Sequence, residues 1–331
     1  MSPPSLPMSR YRLRFTAEQP VALPPPAGAI WRGAFGHALK RLVCVTREPR
    51  CPDCLLYRSC LYPYLFETPP DPEAGKLRKY PAAPHPYVLR PVPGPERMAA
   101  GEALGLDLTL FGRAVQSLPY VIHALSQAGE RGIGPGRGRV VLQRVSQAHG
   151  DAWVLIHRAG GALNPLPPPG IELPPCPAEI TLHLETPLRL VRDGRTVGPG
   201  ALDFAGLFGA LLRRISLLTT FHTETPLDVD FAGLSRAARA VRRVGAELCW
   251  ADAERFSRRQ GRAVPLGGVT GWVRFAGDLA PFWPYLWLGQ WVQVGKGTVM
   301  GLGAYRLAIP QACESGPLDH GALSSPLKQS E

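Results

Sequence analysis

Two nonapeptides, one in each half of the chain, follow a single pattern. Residues 33–41 read GAFGHALKR and residues 206–214 read GLFGALLRR, both of the form G-x-F-G-x-x-L-[KR]-R. A chain that repeats itself at this distance is built from two copies of one structural unit. Each copy comes soon after a β-prone run, YRLRFTAEQ at 11–19 and EITLHLETPL at 179–188. Each opens a helix, because Phe and Leu four positions apart share one apolar face.

The likeness extends to the ends of the halves. The first closes with GERGIGPGRGRVVLQRV (129–145) and the second with GKGTVMGLGAYRL (295–307), each a glycine-rich loop followed by a strand. Between these limits LDLTLFG (106–112) precedes the helical AVQSLPYVIHALSQAG (114–129), and GGVTGWVRFAG (267–277) precedes APFWPYLWLGQWVQVG (280–295). Pro119 and Pro284 mark turns or kinks in those helices. The order strand, helix, strands, helix, glycine loop, strand predicts an α+β protein of two tandem ferredoxin-like (RRM-like, βαββαβ) domains with glycine-rich loops. The proline-rich NPLPPPGIELPPCP at 164–177 reads as the linker between domains over 1–163 and 178–310, and 311–331 reads as a disordered tail.

The 37 Lys and Arg exceed the 26 Asp and Glu, leaving a formal net charge of +11. Such an excess favours a polyanionic partner. Most of the cations are Arg, which pairs with phosphate in bidentate fashion and stacks on bases. A compositional bias that also raises Ala, Gly and Pro accounts for Arg over Lys, but not for the net charge. Anionic lipid is a poorer partner than nucleic acid, since no basic amphipathic anchor stands out. The apolar stretches are broken by Pro, Gly or Arg before about 18 residues, so no membrane span is expected. The first residues lack a signal-peptide core, so a cytoplasmic protein is expected.

The glycine loop GKGTVMGLG places Gly295, Gly297, Gly301 and Gly303 beside Lys296. Its backbone N–H groups could hold phosphate oxygens, although it matches neither mononucleotide motif. Two arginine-rich stretches add to the candidate RNA surface. SRAARAVRRV (235–244) sets Arg236, Arg239 and Arg243 along one side of a helix, and RFSRRQGR (255–262) supplies Arg255, Ser257, Arg259 and Gln260, with Arg255 and Arg259 on a shared helical face. Tyr285, Trp291 and Tyr305 could stack on bases, but aromatics at such spacing are also core residues.

With WRGAFGHALKRLVC (31–44), ERFSRRQGRAVPLGGVTGWVRF (254–275) and VGKGTVMGLGAYRL (294–307) added to the repeat, the chain resembles the RAMP superfamily of CRISPR-associated proteins. Within it, it is most similar to the pre-crRNA-processing endoribonucleases, CRISPR-associated family six. The resemblance implies a metal-independent ribonuclease that cuts the repeat in precursor RNA and stays bound to its crRNA product, as a monomer or homodimer, within or feeding an effector complex. Metal-free scission uses the substrate 2′-OH as nucleophile and leaves a 2′,3′-cyclic phosphate and a 5′-OH. It needs a base, an acid and donors around the phosphorane. Histidine suits base or acid near neutral pH. His37 lies in the first repeat motif where the second copy has Ala210, so the shared fold does not require it. His222, in LLTTFHTETP, is the second candidate, ahead of His85 and His123. A non-cleaving RAMP subunit that only binds crRNA would share fold and charge without needing His37.

Four of the seven cysteines fall in CVTREPRCPDCLLYRSC, as Cys44, Cys51, Cys54 and Cys60. Thiols so spaced in a reducing compartment read as a structural metal site. Four thiolates suit zinc or a 4Fe–4S cluster. The spacing is similar to the cluster loop of the endonuclease III family of DNA glycosylases. The helix-hairpin-helix of that family is missing here, which argues against a repair enzyme. No cofactor is expected for catalysis.

Overall fold

In RYRLRF, charged and apolar side chains alternate, and a strand sends alternate residues to opposite faces. In the computed structural model, which describes residues 4–69, 83–257 and 262–308, this stretch is the inner strand β1 (Met8–Ala17). Tyr11, Leu13 and Phe15 are fully buried beneath the helices, while Arg10, Arg12 and Arg14 remain half-buried on the other side. The chain continues through α1 (Ala27–Val43), the short α2 (Leu61–Phe66), β2 (Tyr87–Pro91), β3 (Ala103–Phe111), α3 (Leu118–Glu130), β4 (Val140–His149) and β5 (Ala152–Arg158). The antiparallel sheet runs in the order β2-β3-β1-β4-β5, and α1 and α3 pack together with it.

The second unit repeats the plan. It comprises β6 (Glu179–Leu188), α4 (Phe204–His222), α5 (Phe231–Ala237), β7 (Arg242–Ala251), β8 (Glu254–Ser257), β9 (Arg262–Pro265), β10 (Gly268–Ala276), α6 (Trp283–Val292) and β11 (Tyr305–Ala308). Its sheet runs β7-β10-β6-β11, the same order as the first four strands of the first unit, and α4 and α6 pack together. The fold is a pair of tandem ferredoxin-like units. The repeat motif lies within the first long helix of each, near the start of α4 but in the middle of α1 rather than at its opening, and its Phe35 and Phe208 are both fully buried. Truncating either to alanine removes an interior worth about 3–5 kcal/mol.

Three expectations need correction here. Pro119 and Pro284 do not kink their helices; both sit in the first turn, where the missing N–H is an orphan in any case. The described part of RFSRRQGR is not helical: Arg255 and Ser257 lie on β8, which pairs with β9, Arg255 opposite Val264 and Ser257 opposite Arg262. Arg259 and Gln260 lie outside the described residues. Finally, α4 is long and apolar enough to cross a membrane by length and composition alone. It carries Arg213 and Arg214 midway and buries Leu207, Phe208, Leu211 and Ile215 in the second core, as a core helix does.

The two units share a continuous seam. Leu6, Met8, Val88 and Phe111 of the first unit belong to the hydrophobic core of the second. The glycine loop forms the rest of it. A single 3-10 turn (Thr298–Met300) lies against α1 and β2, flanked by Gly297 and Gly301, both at φ +80°. Thr186 Oγ1 donates to the Gly301 carbonyl at 2.8 Å. Across the seam Gly28 is in contact so close that an added Cβ would stand 2.0 Å from the Met300 carbonyl oxygen. Backbone cannot yield there as a flexible side chain could. Gly28→Ala is therefore expected to destabilise the protein by about 1–3 kcal/mol through overpacking. Gly33→Ala, where nothing stands within 4 Å, is expected to be neutral or to stabilise the helix by up to about 1 kcal/mol. Urea unfolding midpoints of the two variants, compared with the parent, check both.

Candidate nucleic-acid interface

The arginines of β1 open onto a cleft of about 220 Å³ where the two sheets meet. Arg10 and Arg12 reach it from β1, Arg90 from β2 and Arg306 from β11, with Trp153 and Trp291 as apolar walls. Two carboxylates organise these cations. Arg12 grips Asp107 in bidentate fashion, Nε to Oδ1 at 2.7 Å and Nη2 to Oδ2 at 2.9 Å. Arg90 bonds Glu185 at 2.6 Å across the seam, and Arg306 approaches the same carboxylate at 3.8 Å. Arg10 has no ion pair among the described residues; it lies 4.8 Å over the Trp291 ring, and burial lowers its pKa. Arg12 likewise sits 4.4 Å over Trp153. Four guanidiniums, three of them held by two carboxylates, leave the cleft positive, and the flanking indoles offer faces on which bases can stack. Of these residues the sequence reading named only Trp291, as a candidate base-stacking side chain. The signal was present in RYRLRF, whose period-two arginines mark a strand with one cationic face.

The two candidate histidines part company. His37 is exposed on α1, one turn before the exposed Arg41. His222 is sealed at 1% exposure at the end of α4. Its Nε2 is 2.7 Å from the Pro84 carbonyl oxygen, and Tyr64 meets the ring edge-on. It pins the first unit to the second and cannot reach RNA. Burial, with Arg113 and Arg214 nearby, pushes its pKa down to about 4, although the Pro84 carbonyl opposes the shift. The neighbouring His85 is lowered to about 3 by burial and by Arg32, Arg214 and His222. His123 is exposed on α3.

The remaining predicted contacts divide as follows. Arg236 is on α5 and Arg239 in the 3-10 turn after it, but Arg243 lies on β7, so the three do not share a helix. The guanidinium of Arg243 donates to the carbonyls of Pro199, Gly200 and Leu202, a structural task. Lys296 is exposed. The amides of Lys296, Met300, Gly301, Leu302 and Gly303 donate to protein carbonyls, which takes them from any phosphate. Gly295, Gly297, Gly301 and Gly303 all adopt positive φ, so the loop's glycines serve its shape and the seam. Tyr305 and Tyr285 are core residues, and Tyr305 hydrogen-bonds the Leu286 carbonyl. Cys44, Cys51, Cys54 and Cys60 line one small cavity at the end of α1.

Fold and cleft together define a tandem ferredoxin-like protein with an arginine-lined seam. Residues 182–305 match the family of the CRISPR-associated endoribonuclease Cas6. Residues 6–168 match a second family, described as an N-terminal domain. An uncharacterised protein of Archaeoglobus fulgidus is 33% identical over 129 residues, which is 39% of this chain and 43% of that protein. The match thus spans less than half of that relative. A Cas6 product complex has 21% identity and a TM-score of 0.54, covering 91% of this chain and 100% of that one. Thermus thermophilus Cas6 has 20% identity and a TM-score of 0.51, covering 92% and 99%. A partial Cas6–RT–Cas1–Cas2 complex has 14% identity and a TM-score of 0.57, covering 99% of this chain but 49% of that one. These structural likenesses bear on the fold.

The sealed histidines generate a pH dependence. In the unfolded chain a histidine takes up its proton near pH 6.5, whereas folded His222 stays neutral down to about pH 4. Acid therefore favours the unfolded state, and stability that is intact above about pH 6.5 is lost as pH falls towards 4. The loss from His222 alone is on the order of 3 kcal/mol by pH 4. Denaturation midpoints at pH 7 and pH 4.5 should differ accordingly, and His222→Gln should flatten the dependence while lowering stability at pH 7.

Proposed function

We propose that the protein is an endoribonuclease that cuts the repeat of CRISPR precursor RNA and retains the crRNA product. The observation that carries this reading is the match of residues 182–305 to the Cas6 endoribonucleases. The cleft agrees with it, since paired arginines and two indoles suit a single strand laid across the seam.

The cut we infer needs no metal. The ribose 2′-oxygen attacks the adjacent phosphorus, the P–O5′ bond breaks, and a 2′,3′-cyclic phosphate and a 5′-OH result. One group must take the 2′ proton and one must supply a proton to the departing 5′ oxygen. His37 is the candidate for one of these roles, because it is exposed on a helix whose duplicate carries Ala210 in its place. Arg41, one turn further along the helix, could steady the phosphorane. The second proton carrier is not His222. That loss also favours a second reading, a crRNA-binding subunit that does not cleave.

The two readings separate with labelled repeat RNA in EDTA under single-turnover conditions. A discrete cut whose 5′ fragment ends in cyclic phosphate is the expected result, and His37→Ala should slow it by more than tenfold, about 1.4 kcal/mol of barrier. Stable binding without a cut would favour the subunit. A second expectation concerns the cleft: Arg10→Ala and Arg306→Ala should each weaken binding of any RNA sequence. Each should also reduce the slope of log K against log salt by about one if it contacts a phosphate. A filter-binding salt series reads both.

A further inference from the structure

A site distinct from the RNA cleft lies where α1 ends. Each of the four clustered cysteines occupies a fixed point of local structure. Cys44 is the residue after the last turn of α1, and its N–H bonds the Lys40 carbonyl. Cys51 opens a 3-10 turn, and the Cys54 N–H closes it onto the Cys51 carbonyl at 3.0 Å. Cys60 stands at the start of α2, with its N–H on the Leu56 carbonyl at 2.8 Å. The seventeen residues from Cys44 to Cys60 are thereby folded so that all four cysteines line one cavity.

We propose that this cavity is a structural metal site in which the thiolates of Cys44, Cys51, Cys54 and Cys60 hold one divalent ion of the zinc type in a tetrahedral shell. Four features carry the assignment. The set is complete at four, the number a closed structural site takes. The Cys51-Pro52-Asp53-Cys54 turn delivers two thiols from one tight bend. The Leu56 N–H points at Cys54 Sγ at 3.4 Å and the Thr46 hydroxyl stands 3.2 Å from it, and such donors orient and steady a thiolate ligand. The surroundings carry the compensating charge: four thiolates on one divalent ion leave −2, and Lys40 lines the same cavity while Arg47 and Arg58 are exposed on its loop.

Four thiolates from one short loop, with no further ligand needed, make the closed tetrahedral shell of a single zinc ion; the same set also holds a 4Fe–4S cluster, and metal and sulfide analysis separates the two. Among the described residues no group of three or more His, Cys, Asp or Glu already stands in metal-holding geometry. Binding therefore draws the thiolates inward, and its free energy is coupled to the order of the loop. The ion ties the last turn of α1 to the start of α2, and α1 is the helix that presents His37.

The test uses the full chain and does not depend on RNA cleavage. Protein purified under reducing conditions is expected to contain one zinc per chain by mass spectrometry of the metal. Cobalt(II) added to the chelated protein should give the visible and near-ultraviolet bands of a tetrathiolate. Cys54→Ser and Cys60→Ser should lose the metal, whereas Cys176→Ser and Cys249→Ser, both at exposed thiols, should keep it. Should the first pair fail to fold, the parent protein serves: bound zinc should shield four cysteines from alkylation, and chelation should expose them and lower the melting temperature. The proposal is overturned by reduced protein that takes up neither zinc nor cobalt at one per chain. It is equally overturned by disulfides among the four, or by iron and acid-labile sulfide in cluster amounts.

Discussion

The contact on which the rest depends is the bare backbone of α1 against the glycine loop of the second unit. Gly28 and the Met300 carbonyl meet with no space for a side chain, and Gly301 stands close to β2, though less tightly. Two ferredoxin-like units each leave an apolar sheet edge and strand ends that must be covered. Here each covers the other, with Leu6, Met8, Val88 and Phe111 entering the second core. Positive φ at the loop glycines lets the chain turn twice within a few residues and bring its carbonyls to the seam. Because that junction is backbone on backbone, it fixes the angle between the sheets, and the angle fixes the cleft.

The cleft's electrostatics follow from the same geometry. A seam lined only with arginines would repel itself, and a seam with equal carboxylates would repel RNA. Asp107 and Glu185 occupy an intermediate position. Each holds two guanidiniums, and Glu185 bridges the units by taking Arg90 from one and Arg306 from the other. These partly exposed pairs contribute little to stability. Their effect is to hold planar donors in place, so that less side-chain entropy is lost when a phosphate arrives. Arg10 differs: partly desolvated over Trp291 and without a carboxylate, it is the cation with most to gain from an anion.

How much of this was legible in the sequence depends on the range over which each signal acts. The doubled G-x-F-G motif revealed two units and their first helices, because helical periodicity and glycine spacing are local. It also isolated His37, since a duplicate lacking the histidine shows what the fold alone requires. The tracts of arginine misled. Arg236, Arg239 and Arg243 have helical spacing, yet the chain turns into a strand at Arg242, where pairing with β10 overrides local propensity. Arg243 then spends its donors on three carbonyls distant in sequence, which no periodicity reports. His222 was a candidate in the sequence, but Pro84 and Tyr64 of the first unit cover its ring. Burial by the other unit is a property of the assembled pair. The loop's amides were read as free for phosphate, but those of Lys296 and Gly303 bond the carbonyls of Arg189 and Pro187 far along the chain, and those of Met300, Gly301 and Leu302 close turns within the loop.

The divergence of the two copies says which unit can carry chemistry. Arg41 and Arg214 are equivalent residues of the repeat. Arg41 is exposed on α1, one turn from His37. Arg214 is turned inward, donating from Nε to the Val292 carbonyl at 2.9 Å, and burial lowers it to about 10. The second copy has thus committed the same helical face to packing on α6, and at the position of His37 it carries Ala210, which packs against that core. The first copy keeps its face open, with a histidine and an arginine on it. A helix cannot offer one face both to a core and to a substrate. Duplication resolves the conflict by leaving the second copy to hold the structure while the first keeps its face open to solvent.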